Sequence, residues 1–157
     1  MNTAAFAVML ALATGCAARP TSPQAAPGQG APLRLTAQVD RTDVSAGASA
    51  VVTFRLENLT ATTIALDFGS TCQVMPYVAR RASGDVVHPE NGSWMCATML
   101  TELIVPPSGV TTTELRVTAG AGTGEVVGLP PGEYAVFARL HDRVHKLESN
   151  RVMLIVR

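Results

Sequence analysis

From Leu33 onward the chain is written in a period of two. Leu33, Leu35, Ala37 and Val39 alternate with Arg34, Thr36 and Gln38. Val52, Phe54 and Leu56 alternate with Thr53, Arg55 and Glu57, and Ile64, Leu66 and Phe68 with Ala65 and Asp67. Tyr134, Val136, Ala138 and Leu140 form a later face, and Val152, Leu154 and Val156 a last one. Successive side chains of an extended strand point to opposite faces, so alternation marks strands with one buried and one wet face. Weaker patterns predict strands over Val74–Arg80, 99–105 and 110–117. Turn residues separate them at Ser45-Ala46-Gly47, Asn58-Leu59-Thr60, Ser83-Gly84-Asp85, Pro106-Pro107-Ser108-Gly109 and Pro130-Pro131-Gly132. No stretch past the first thirty-two residues carries a convincing helical period. The expectation is an all-β chain: an immunoglobulin-like β-sandwich of seven to nine antiparallel strands. Tyr134, just after the Pro-Gly turn, is either the tyrosine corner of such sandwiches or a plain core tyrosine.

The first residues obey a different rule. Ala4 to Ala13 is an apolar run about ten residues long, too short for a membrane span, which needs about 20. Ala13-Thr14-Gly15-Cys16 then supplies small residues ahead of a cysteine. This resembles a bacterial lipoprotein signal peptide, with Cys16 as the lipidated first residue of the mature protein. Two departures stand out. Leu12 lies one place further upstream than the usual leucine, and Met1-Asn2-Thr3 has no Lys or Arg, which leaves an upstream start open. A secretory peptide cleaved elsewhere and a buried helix ending in Cys are the alternatives. Pro and Gly dominate Arg19 to Pro32, which has no apolar periodicity and reads as a tether. At ~5–6 Å × √n, it would hold a domain about 20 Å from the bilayer. The expected organisation is a signal peptide over 1–15, lipidated cysteine and tether over 16–32, and one domain over 33–157. The expected location is the cell envelope, at the outer membrane if the organism has one, since Ala17 and not Asp follows Cys16.

Charge narrows the partners. Twelve Lys and Arg balance twelve Asp and Glu, and charged residues are only 15% of the chain. No basic stripe or acidic tail is present, so electrostatic capture of nucleic acid is not expected.

If Cys16 carries lipid, Cys72 and Cys96 remain as an even pair, and an oxidising compartment predicts a disulfide between them. The segment between them has the least regular pattern and holds Asn91 and Trp94, with Met95 beside Cys96. Asn91, Trp94 and Met95 are the candidate binding surface. Trp94 is either an exposed anchor or packed over the disulfide. A weaker reading takes Cys72, Met75, Met95, Cys96 and Met99 as soft sulfur donors for Cu(I), against a role for the methionines as core fillers.

Other motifs carry little chemistry. His141 and His145 have metal-ligand spacing but fall in a turn between strands, and His88 stands alone beside Pro89. No Gly-x-Ser-x-Gly elbow occurs. The glycine-rich run from Ala119 to Gly124 lacks the Lys-Ser/Thr of a phosphate loop. Asn58-Leu59-Thr60 and Asn91-Gly92-Ser93 match the glycosylation pattern, but a bacterial lipoprotein would not normally be modified there. No cofactor, metal or catalytic residue is expected.

Several short runs occur in one order: Leu56-Glu57-Asn58, Ile64-Ala65-Leu66-Asp67-Phe68-Gly69-Ser70, Tyr77-Val78-Ala79, Gly84-Asp85-Val86-Val87, and Leu129-Pro130-Pro131-Gly132-Glu133-Tyr134-Ala135-Val136. In that order they resemble the BsuPI-type proteinase-inhibitor domain over most of the mature chain. The resemblance implies an immunoglobulin-like domain and, more loosely, inhibition of a serine protease. It transfers no inhibitory residue, and that family's founding inhibitor is intracellular. The functional expectation is a lipid-anchored envelope protein that binds another protein and performs no chemistry. The alternatives are a structural or adhesive envelope module and a copper-binding lipoprotein.

Overall fold

The computed structural model describes residues 31–157. Cys16, the leader over 1–15 and the tether up to residue 30 lie outside the described residues. Twelve strands follow in chain order: β1 (Leu33–Val39), β2 (Asp43–Val44), β3 (Ser49–Asn58), β4 (Ile64–Phe68), β5 (Val74–Arg80), β6 (Val86–His88), β7 (Thr101–Val105), β8 (Val110–Ala119), β9 (Val126–Leu129), β10 (Gly132–His141), β11 (Lys146–Glu148) and β12 (Val152–Val156). One sheet has the order β1-β3-β8-β9. The second has the order β2-β12-β10-β5-β6, with β11 on β10, and β4 pairs with β7 as a separate ribbon.

The all-β, immunoglobulin-like sandwich is as the alternation requires. Each strand read from the pattern is present. The strand number exceeds seven to nine because β2, β6, β9 and β11 are only two to four residues long, too short to display a period. Pairing is not uniformly antiparallel either: β2 with β12 and β8 with β9 run parallel. The second case follows from a doubling back of the chain between β8 and β9. Its backbone lies so close to β9 that a Cβ on Gly128 would overlap Gly120, Ala121 and Gly122. That close approach accounts for Gly122 and Gly128, whereas Gly120 and Gly124 have open space around them and a positive φ that favours glycine.

Leu56, Phe54, Leu66, Phe68, Leu140 and Leu154 fill the space between the sheets. Tyr134 joins them, fully buried, and its hydroxyl donates to the carbonyl oxygen of Pro130 at 2.8 Å. This is the tyrosine corner, and it ties the turn ahead of β10 to the core. A second cluster of Tyr77, Ala79 and Phe137 covers the outer face of the second sheet. Tyr77 and Phe137 stack at 5.5 Å, with the Arg139 guanidinium 5.0 Å from the Tyr77 centroid and that of Arg151 4.2 Å from Phe137. Long cationic side chains can cover apolar rings while keeping their charge in water. Strand β10 is therefore buried on both faces from Tyr134 to Ala138.

Register defines two ends. At the near end Leu33 faces Asn58, Glu57 faces Val110, Ile64 faces Val105, Val74 faces Leu140 and His141 faces Lys146. At the far end Ser49 faces Thr118, Ala119 faces Leu129 and Gly132 faces Val156. The chain enters at the near end, where Leu59 N–H donates to the Pro32 carbonyl at 2.8 Å.

Candidate functional site

Cys72 and Cys96 form a disulfide with a Cα–Cα distance of 5.6 Å across 24 positions. Cys72 sits just ahead of β5, and Cys96 lies in the irregular segment between β6 and β7. The bridge is local and does not join the two sheets. Backbone contacts reinforce it: Thr71 N–H donates to the Ala97 carbonyl, and Ala97 N–H to the Thr71 hydroxyl, each at 3.1 Å. Both sulfurs are used, so a copper site would have to rest on thioethers. Met75 packs against the Tyr77–Phe137 cluster, while Met95 and Met99 project outward.

Trp94 is not an exposed anchor. It is half-buried against the Tyr77–Phe137 cluster, and its indole N–H donates to the Pro76 carbonyl at 3.1 Å. Its ring meets His88 edge to face at 5.1 Å. The physical reason is that β5 and β10 carry aromatic side chains on their outer face, which the indole helps to cover. Asn91 is exposed, with φ +58°, and with Gly92 at φ +71° it makes the turn after β6. Asparagine and glycine tolerate this left-handed region best. Met95 is 99% exposed, between the fastened Trp94 and the bridged Cys96. The structure thus brings Asn91, Trp94, Met95 and Cys96 onto one short, tied-down segment.

Beside it runs an open groove of about 940 Å³ between the flanks of the two sheets. Cys72, His88 and Trp94 stand on one side, and Glu114, Glu125 and Val127 on the other. The sequence treated His88 as an isolated residue. Here its Nε2 is buried with no hydrogen-bond partner among the described residues, and burial pushes its pKa below the ordinary histidine range. No spacing in the sequence signals this, because the groove joins residues from four separate strands.

The other candidates are local structure. His145 Nδ1 lies 3.0 Å from Asp142 Oδ2, and the His145 and Val144 backbone N–H groups also donate to Asp142. Burial alone would raise the Asp142 pKa, but these hydrogen bonds outweigh it and hold the carboxyl below its ordinary range. Asn58 is buried. Its amide donates to the carbonyls of Thr62, Val105 and Pro106, and its oxygen accepts from Thr60 N–H and hydroxyl. An amide so fully engaged is not available to carry a glycan.

No family model matches this sequence, and no curated protein matches it. Among solved structures, the chain is similar to a β-glucosidase from Erythrobacter marinus at 11% identity and TM-score 0.45, over 80% of this chain and 15% of that one. It is similar to the alkylpurine DNA glycosylase AlkC of Pseudomonas fluorescens at 12% identity and TM-score 0.44, over 82% and 31%. The PapD-like domain 7 of human CEP192 aligns at 16% identity and TM-score 0.32, over 90% and 96%. This chain thus spans only a minor part of the two enzymes. At these scores the likenesses carry no argument about function.

Proposed function

We propose that this chain is a lipid-anchored envelope protein that binds another protein through its disulfide-tied segment, and that its specific activity is inhibition of a serine protease. One observation carries the reading. Met95 is fully exposed on a segment fastened on one side by the Trp94–Pro76 hydrogen bond and on the other by the Cys72–Cys96 bridge. A segment ordered before it binds loses little conformational entropy on binding. A stretch fastened on both sides of a protruding apolar side chain suits the substrate cleft of a protease with a large apolar primary pocket. The BsuPI resemblance supports the same activity, and the lipobox around Cys16 supports the location.

The test is a panel of serine proteases titrated with the purified protein. Inhibition at micromolar concentration or below, weakened at least tenfold by Met95→Asp, is expected. No inhibition across chymotrypsin-like and subtilisin-like enzymes would overturn the inhibitor reading. Membrane fractionation and lipid labelling of Cys16→Ser test the anchor separately.

A further inference from the structure

We propose that the near end of the sandwich, where the chain enters the domain, docks on a phospholipid bilayer. Eight large apolar side chains are exposed among the described residues: Leu59, Met95, Met99, Leu100, Ile104, Val110, Val144 and Ile155. Register and chain path put six of them at the near end. Leu59 follows Asn58, Val110 opens β8 opposite Glu57, and Ile104 lies beside Val105 on the β4–β7 ribbon. Met99 and Leu100 lead into that ribbon. Val144 is at the tip of the β10–β11 turn and is 81% exposed; Leu100 is 74% exposed. A small depression lined by Asp67, Phe68, Leu100 and Arg143 brings the two segments side by side. Met95 lies beside the groove, and Ile155 belongs to the far end.

Scattered exposed apolar residues need no explanation, but concentration on one end of a small domain does. The occupant follows from where the chain comes in. Pro32 is held against Leu59 at this end, and the sixteen residues from Cys16 to Ala31 lead directly to it. A lipid on Cys16 would keep this end nearest the bilayer. Charge fits as well. Arg143 and Lys146 flank Val144 and make no ion pair among the described residues. An apolar tip entering the headgroup layer with cations beside it at phosphate level is a common interfacial arrangement. Asp67 and Glu102, register partners on one face of the ribbon, also make no ion pair among the described residues and would stay at the aqueous rim.

The inference rests on the lipid-anchor reading for its proximity argument, but the readout is its own. The acylated full chain, labelled with ¹³C at its methionine methyls, is placed in nanodiscs of phosphatidylcholine and phosphatidylglycerol carrying a headgroup nitroxide lipid. The expected result is strong broadening of the Met99 methyl and little of Met153, which sits opposite Ala135 toward the far end. A double variant, Leu100→Asp with Val144→Asp, still acylated and with unchanged melting temperature, is expected to restore the Met99 signal. Equal sharpness of Met99 and Met153, or broadening unaffected by the double variant, overturns docking. Cys16→Ser is then compared by co-sedimentation with vesicles of the same lipids. Weak binding that disappears on adding the two aspartates supports docking. If Cys16→Ser stays fully membrane-bound and only the aspartates release it, docking is supported and the lipid anchor is overturned.

Discussion

The Trp94 indole N–H reaches the carbonyl oxygen of Pro76 at 3.1 Å and so fastens the middle of an irregular segment to the outer face of a sheet. Eighteen residues separate the two in sequence. The bond turns a tryptophan that could have been a mobile hot spot into part of a scaffold, leaving Met95 as the protruding side chain. Trp94→Phe keeps an aromatic ring over Tyr77 and Phe137 but removes the donor. A net loss of about 1 kcal/mol is expected. Hydrogen exchange of residues 93–100 is expected to quicken several-fold while the core amides stay protected.

Opening the Cys72–Cys96 bridge has a larger effect. The closed loop spans 24 positions, for which chain entropy predicts ~3.5 kcal/mol. Denaturant unfolding of the double variant Cys72→Ser with Cys96→Ser is expected to show a loss of that order. The native protein is expected to show no free thiol from either residue on titration.

Asn58 closes the near end from inside. Its side chain bonds the carbonyls of Thr62, Val105 and Pro106 and accepts from the Thr60 backbone N–H, tying together the turns beside β3, β4 and β7. Asn58→Ala is expected to cost about 3 kcal/mol, because buried polar groups left unpaired lose their full solvation. Asn58→Asp, which keeps the acceptor but loses the amide donors, is expected to be no better. Thermal unfolding measures both.

His88 sets a pH dependence. Burial holds its folded pKa below the unfolded value, so the unfolded chain binds the proton more readily. Stability is therefore complete above the unfolded pKa of about 6.5 and declines as pH falls through it. Asp142, whose folded pKa is also lowered, adds a second loss only at acid pH, below about 4. The melting temperature is expected to drop between pH 7.5 and 5.5 in the wild-type protein, and by less in His88→Gln.

The sequence by itself determined the strands whose residues alternate and the turns between them, and it set Cys72 and Cys96 near enough along the chain for a local bridge. All are properties of neighbouring residues. Backbone pleating makes a period of two legible without any knowledge of partners. Only the tertiary structure decided the rest. β2, β6, β9 and β11 are ordered by the strands they pair with and carry too few residues to show a pattern. Phe137 is buried on the outer face because Tyr77 of β5 and Arg151 of the turn before β12, together with Arg139 of its own strand, cover it. Asn58 reads as a turn residue in sequence and becomes a buried hub because β7 ends 47 positions later beside it. Leu59, Leu100 and Val144 lie far apart in the chain, in a turn, at the entry to β7 and in the β10–β11 turn. They share one end because the register of two sheets brings distant turns together, and no local pattern encodes that distance.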